Sequence, residues 1–168
     1  MQIKTYDFVG ESAYVAAIDD IRNMLQFLHD DEYAYDMAIN EAVLNAAQNS
    51  IDGVDDAKIH IEIQISDYDV ITKVSCKTKP FNMMTYRDQL LAIAARSAYK
   101  NADWTDYTLD SDVSRGLWFI LYGTEYISMD CFAQSVQLHT RNPYIKRTSR
   151  KMRDLLRRFF VEKDGILL

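Results

Sequence analysis

A carboxylate and two carboxamides follow one another at four-residue intervals in the segment DMAINEAVLNAAQNSIDG, residues 36–53. If the segment is helical, Glu41, Asn45 and Asn49 share one face, because residues four apart are neighbours on a helix surface. Such side chains suit a hydrated metal ion and a phosphate better than they suit a protein core. The same spacing is typical of the solvated face of an ordinary amphipathic helix, and periodicity alone favours that simpler interpretation.

The opposite face of this segment is small and apolar, which predicts a helix that lies on a sheet. It consists of Ile39, Ala42, Val43, Ala46 and Ala47. Gly53 is the expected stop of the helix, since glycine readily adopts the left-handed conformation that follows many helices. We therefore expect a helix over 36–52 that holds the polar row at a cleft.

The composition indicates a chain with a sizeable core and few breaks. Its 168 residues favour one domain, 48% of them are hydrophobic, and only five Gly and two Pro interrupt the regular elements. No stretch approaches the roughly 20 apolar residues of a membrane span, and the initial MQIKTYDF lacks a signal-peptide apolar region. Cys76 and Cys131 have no metal-ligand spacing, so we expect reduced thiols in a cytoplasmic protein.

Two periodicities place the remaining elements. Alternation and strand-forming residues predict strands at 2–8, 57–66, 70–76, 125–130 and 134–141, with a hairpin connection at 67–69. Apolar spacing of three and four predicts helices at 12–29, 84–100, 114–123 and 144–161, and residues 101–112 form a polar acidic loop. Hairpins between helix pairs predict an α+β fold, a two-layer sandwich of a mixed sheet with helices on one face.

Other candidate groups are weaker. His29, His60 and His139 are far apart in sequence and make no ligand pattern, and no P-loop or His-Glu-x-x-His motif occurs. Trp118 is predicted to lie in the core. Trp104, in the acidic loop, is interpreted as a packing residue, with an anchor for a partner as the alternative.

The last predicted element is strongly basic. Residues 141–158 contain eight Lys and Arg against one Asp, a net charge of +7 in a chain of −6, so the other residues carry −13. The apolar stripe of this helix consists of Met152, Leu155, Leu156, Phe159 and Phe160. Its simplest role is to dock on the acidic body or on a second copy of the chain. Binding to an anionic membrane surface, an acidic partner or nucleic acid is the alternative.

The segment NEAVLNA, residues 40–46, resembles the N-box of the GHKL ATPase superfamily of gyrase, heat-shock chaperones, histidine kinases and mismatch-repair ATPases. The element order from residue 1 to about 141 is most similar to the bacterial anti-sigma factor serine/threonine kinases, and SRGLWFILYGTEYISMD, residues 114–130, resembles their G2 box. The resemblance implies a GHKL domain at 1–142 and an added basic helix at 143–168. It implies a cytoplasmic regulator whose partner is a sigma factor or an anti-anti-sigma-like protein. It is compatible with a homodimer, and we expect no binding to nucleic acid.

The resemblance also implies roles for the polar row. In the family, the Asn at the position of Asn45 binds the Mg²⁺ that bridges the ATP phosphates, and the Glu at the position of Glu41 is the general base. Asn49 lies one turn further and is a candidate nucleotide contact. An oxygen ligand for a hard cation and a carboxylate one turn away are the groups that phosphoryl transfer needs.

The adenine-binding motif of the family, G1, is altered in this chain. Aligned on Phe81, Cys76 stands where the adenine-binding Asp belongs, and Thr78 and Pro80 stand where two glycines belong. A thiol is a poor acceptor for the adenine amino group. Thr and Pro do not allow the close backbone approach that Gly permits.

The G2 motif is altered as well. Ser114 replaces its first glycine, and Gly116 remains. The helix start at Ser114 and the charge of Arg115 are the remaining candidates for holding an anion. These changes predict a site for ATP and Mg²⁺ that is weakened or lost, and therefore a partner-binding module with little or no catalysis. An active, divergent ATP-dependent serine/threonine kinase and a structural interaction protein that uses its basic helix are the alternatives.

Overall fold

The computed structural model describes residues 1–26, 32–96, 103–104, 112–145 and 149–168. The strands are β1 Gln2–Val9, β2 Lys58–Ile65, β3 Asp69–Cys76, β4 Tyr126–Asp130, β5 Ser135–Arg141, β6 Phe159–Lys163 and β7 Ile166–Leu167. The helices of the described residues are α1 Glu11–Leu25, α2 Glu32–Gln48, α3 Met83–Ala94, α4 Asp112–Gly123 and α5 Met152–Leu156. Most of the predicted loop 101–112, the helix end at 27–29 and His29 lie outside the described residues.

The five predicted strands are confirmed, and they lie in one sheet of order β1-β2-β3-β5-β4-β6-β7. The pairs from β1 through β4 are all antiparallel. Ile61, Val74 and Val136 stand side by side on three neighbouring strands, and all three are buried beneath the helices. One buried face per antiparallel strand is what the alternating pattern predicts. The predicted two-layer α+β architecture is therefore confirmed.

The single helix predicted at 144–161 is wrong. The described residues there form the five-residue helix α5, after which the chain continues as strands β6 and β7. β6 runs parallel to β4, and this pair makes the sheet mixed. Met152, Leu155, Leu156 and Phe159 of the predicted stripe are nevertheless buried as expected, whereas Phe160 is only partly buried and the next residue, Val161, is buried. The four buried residues of the stripe, from the short helix and the strand after it, lie three and four residues apart, which is also the spacing of the apolar residues on one long helix.

Three helix limits also differ from the predictions. α2 begins at Glu32 and ends at Gln48, so Gly53, whose φ is 91°, is not its stop. α4 begins at Asp112, so Ser114 belongs to its first turn and not to its start. The helix predicted at 84–100 already ends at Ala94.

Both tryptophans contribute to the core. Trp118 is 9% exposed and Trp104 is fully buried, with its backbone N–H donating to the carbonyl of Arg150 at 3.0 Å. The anchor alternative for Trp104 is therefore wrong. No helix among the described residues is both long enough and apolar enough to cross a membrane.

Candidate functional site

α2 packs against both the sheet and α4, and its two faces differ as its sequence predicts. Ile39 and Val43 are fully buried on the sheet side. Glu41 and Asn45 lie against α4, where a Cβ added to Gly116 would stand 3.1 Å from both Glu41 Oε2 and Asn45 Nδ2. The backbone of α4 therefore lies directly on the predicted acid–amide pair and leaves Glu41 half-buried.

Glu41 is electrostatically perturbed in this position. Burial raises the pKa of its carboxyl above the ordinary value, and the positive charge of Arg115 offsets part of that rise. A raised carboxyl pKa is a property of many general bases. It is also the ordinary result of removing a carboxylate from water beneath a neighbouring helix.

Replacing Glu41 with Gln is expected to leave the melting temperature at pH 7 unchanged or higher. A carboxyl whose folded pKa exceeds its unfolded pKa stabilises the fold at low pH, and this contribution is lost as the pH rises through the folded pKa. At pH 7 the ionised Glu41 therefore carries a desolvation cost that the neutral amide lacks. Melting curves of Glu41→Gln and wild type at pH 4 and pH 7 measure the effect. A variant that melts several degrees below the wild type at pH 7 would contradict this assignment.

A cavity of about 360 Å³ lies next to the pair, between the buried face of β3, β5 and β4 and helices α2, α3 and α4. Four residues chosen from the sequence line it together, namely Asn45, Asn49, Cys76 and Thr78. Glu41 does not line it and stays in the contact between α2 and α4. The fold thus brings most of the predicted nucleotide residues to one place and separates the predicted general base from them.

The loop after β3 is fastened to the chain that leaves α2. The Ile51 N–H donates to the Lys77 carbonyl at 3.1 Å, and the Lys79 N–H donates to the Asn49 carbonyl at 2.8 Å. These bonds resemble a short piece of antiparallel sheet and hold the loop at the edge of the cavity. In the family pattern the same stretch is the glycine-containing G1 motif.

Thr78 is a structural residue of this loop. Its hydroxyl is buried and lies 3.4 Å and 3.3 Å from the carbonyl oxygens of Phe132 and Ala133, to which it donates. Among the described non-glycine residues, only Ala133 and Asp164 have a positive φ. Thr78 and Pro80 therefore occupy positions that do not require glycine, and the loop has its own stable conformation.

Cys76, expected at the adenine position, and Asn49, a candidate nucleotide contact, offer little to a nucleotide. Cys76 is buried, and burial raises the pKa of its thiol, so the thiol stays protonated and remains a weak hydrogen-bonding group. The Asn49 amide donates to the carbonyl of Asn45 at 2.8 Å and is thereby engaged with its own helix. Neither residue replaces the carboxylate that the family uses.

The predicted G2 residues lie beside the pair and not around the cavity. Ser114 is in the first turn of α4, and its side chain is outside the described part of the structure. Arg115 is exposed, and Gly116 faces Glu41 and Asn45. Asn45 thus contacts the turn of α4 at Gly116 and also lines the cavity, to which α4 contributes Leu117 and Ile120.

Several lining residues were not predicted from the sequence. Met83 and Tyr86 come from α3, whereas Met129, Gln134 and Ser135 come from β4, β5 and the turn between them. Sheet order brings them to the site, because β5 pairs with both β3 and β4. The sequence around these five residues contains no local pattern that indicates a ligand site.

The two histidines among the described residues, His60 and His139, have structural partners. His60 Nδ1 lies 2.9 Å from Asp7 Oδ1, and the ring of His139 stacks on that of Tyr126 with 4.2 Å between centroids. Across the described ranges, no group of three or more His, Cys, Asp and Glu side chains is arranged to hold a metal ion.

The described residues differ from a site for ATP with a hydrated Mg²⁺ in two ways. The α4 backbone at Gly116 packs on the ends of Glu41 and Asn45, and Glu41 does not line the cavity that Asn45 faces. At the adenine end, a protonated thiol stands in place of a carboxylate. No family model, curated protein or solved structure was found to match the chain.

Proposed function

We propose that the chain is a cytoplasmic regulatory protein of the GHKL type that binds a protein partner without transferring phosphate. Its order of elements is similar to that of the bacterial anti-sigma factor serine/threonine kinases. Its partner in this proposal is a sigma factor or an anti-anti-sigma-like regulator. The packing of α4 on Glu41 and Asn45 carries this proposal. Two residues of the type and spacing that the family uses for phosphate chemistry are here part of a contact between two helices.

Two exposed phenylalanines offer a surface for such a partner. Phe132 is 63% exposed and Phe81 is 44% exposed. They lie on two loops that meet at the hydrogen bond from Thr78 to the Phe132 carbonyl. Lys77 and Lys79, on the same loop as Phe81, are exposed as well. Aromatic anchors next to positive charge suit a partner with apolar and acidic side chains.

A pull-down from the native host tests the partner class and this surface together. We expect the wild type to recover a sigma factor or an anti-anti-sigma-like regulator, and Phe132→Ser to weaken that binding roughly thirty-fold, the equivalent of an anchor worth about 2 kcal/mol. Tyr68→Ser is the matched control, because Tyr68 is a 78% exposed aromatic on the β2–β3 turn. Recovery of neither class, or equal loss in both variants, would contradict the proposal.

An active, divergent serine/threonine kinase is the second candidate, and the raised pKa of Glu41 favours it. A carboxylate with a raised pKa accepts a proton more readily near neutral pH. In this function Glu41 is the base and Asn45 the Mg²⁺ ligand, and α4 has to move away from both.

Incubation with labelled ATP and candidate partner proteins distinguishes the two candidates. If phosphotransfer occurs, Glu41→Ala abolishes it, whereas Gln48→Ala, an exposed change on the same helix, retains it. Labelled product that depends on Glu41 would establish the kinase and overturn the binding-only proposal. Absence of label with a partner that binds supports the binding-only function.

A further inference from the structure

We propose that the cavity beside Asn45 binds a small, uncharged and mainly apolar molecule with one or two neutral hydrogen-bonding groups. This ligand class differs from a nucleoside triphosphate. The site lies in the space between the sheet and helices α2, α3 and α4 and extends to Phe81, whereas Phe132, the residue that we use to test partner binding, does not line it.

The volume of the cavity limits the size of this ligand. An apolar protein cavity of about 150 Å³ holds one benzene molecule, which has six non-hydrogen atoms. On the same scale, a cavity of about 360 Å³ holds roughly fourteen non-hydrogen atoms. That is the size of a bicyclic ring system with a short substituent, which is the part of the ligand that the cavity encloses.

The walls of the cavity are mostly apolar. Val74 from the sheet and Leu117 and Ile120 from α4 form part of the lining, and Met83 and Met129 complete it. Aliphatic side chains favour an apolar ring or chain, because contact with them removes apolar surface from water. Methionine side chains are flexible and polarisable, so they adapt to the outline of the bound molecule.

The available polar groups of the lining are neutral. The side chains of Asn45, Gln134 and Ser135 make no hydrogen bond to any described residue, whereas the Thr78 hydroxyl and the Asn49 amide are engaged with backbone carbonyls. The described lining contains no carboxylate, and its one cation, Lys79, is exposed to solvent. Lys79 can meet an anion only at the solvent-exposed edge, and a charged group deeper in the cavity would lose its hydration without an opposite charge in return. The polar part of the ligand is therefore neutral.

The uncharged fluorescent ketone 6-propionyl-2-(dimethylamino)naphthalene, or prodan, is a suitable probe, since its naphthalene ring is apolar and its carbonyl accepts one hydrogen bond. The naphthalene and propionyl groups match the enclosed volume, and the dimethylamino group extends to the open side of the cavity, where Lys79 and Phe81 are exposed. We expect saturable binding to the full chain with a blue shift of its emission and a micromolar dissociation constant. Ala46→Met should weaken this binding at least tenfold, because Ala46 lines the cavity and the longer side chain fills it. Ala17→Met is the matched control, a partly buried alanine on α1 away from the cavity, and should bind like the wild type.

A second experiment uses the wild type, so its result does not depend on whether a variant folds. With ¹³C-methyl methionine, prodan should shift the methyl resonances of Met83 and Met129, which line the cavity, and not that of Met152, which is buried outside it. Absence of saturable binding, equal binding in Ala46→Met and wild type, or a shift confined to Met152 would overturn the inference. So would displacement of prodan by micromolar MgATP. The pull-down with Phe132→Ser does not depend on this cavity, so the two proposals succeed or fail separately.

Discussion

Removal of residues 143–168 is expected to unfold the protein. The truncation deletes five large side chains that are at most 1% exposed, namely Met152, Leu155, Leu156, Phe159 and Val161. Full burial of each is worth about 1.5–3 kcal/mol, so together they contribute roughly as much as the 5–15 kcal/mol total stability of a typical domain. The truncation also exposes the β4 edge, which β6 covers. Circular dichroism should show no cooperative thermal transition.

A shorter truncation is the control for this result. Ending the chain after Lys163 removes β7, the turn before it and the last residue, and the three large side chains lost, Ile166, Leu167 and Leu168, are 61%, 53% and 44% exposed. We expect this variant to remain folded and to melt within a few degrees of the full chain. If the chain that ends at Asn142 melts cooperatively at the full-length temperature, residues 143–168 do not belong to the folded core, and their basic charge is better explained as a tether.

Gly123→Ala is expected to destabilise the protein by about 3 kcal/mol, which lowers the melting temperature by about 6–12 °C in a chain of this size. A Cβ at this position would overlap the carbonyl oxygen of Ala34, and would also stand 3.0 Å from the Ala38 Cβ. Ala34 contributes a backbone atom of α2, which cannot rotate away as a side chain does. The two helices would have to separate, and urea unfolding with thermal melting measures the cost.

Gly116→Ala is the matched control on the same helix. Its new Cβ would stand 3.1 Å from Glu41 Oε2 and Asn45 Nδ2, which are the ends of side chains and can shift. Alanine also favours a helix over glycine by about 1 kcal/mol. We expect a net change within about 1 kcal/mol of the wild type. The account of the α2–α4 contact is wrong if Gly123→Ala is as stable as the wild type or if Gly116→Ala is the more damaging change.

The central sheet was predictable because its strands have one buried face. Ile59, Ile61 and Ile63 alternate with polar residues, and all three lie beneath the helices. In contrast, β6 owes its place to a non-local parallel pairing with β4, and its apolar residues continued the helical spacing of α5. Local periodicity cannot distinguish that arrangement from a single helix.

The candidate site was predictable only in part. The row on α2 follows from spacing within one helix, and Asn45 and Asn49 do line the cavity. The position of Glu41 depends on how closely α4 approaches α2, which the glycines at 116 and 123 permit. Two glycines seven residues apart in a helical segment are a signal for such close packing, because they share one face. The remaining lining depends on the order of strands, for which the local sequence contains no pattern.

Calorimetric titration of the full chain with ATP at physiological Mg²⁺ distinguishes a helix contact at Glu41 and Asn45 from a phosphate site. Each loss of about 1.4 kcal/mol of binding free energy raises the dissociation constant tenfold. Losing several kcal/mol of nucleotide contacts therefore changes a micromolar site into a millimolar one. We predict no measurable binding, or a dissociation constant in the millimolar range. A dissociation constant in the low micromolar range or below, weakened by Asn45→Ala, would contradict the account.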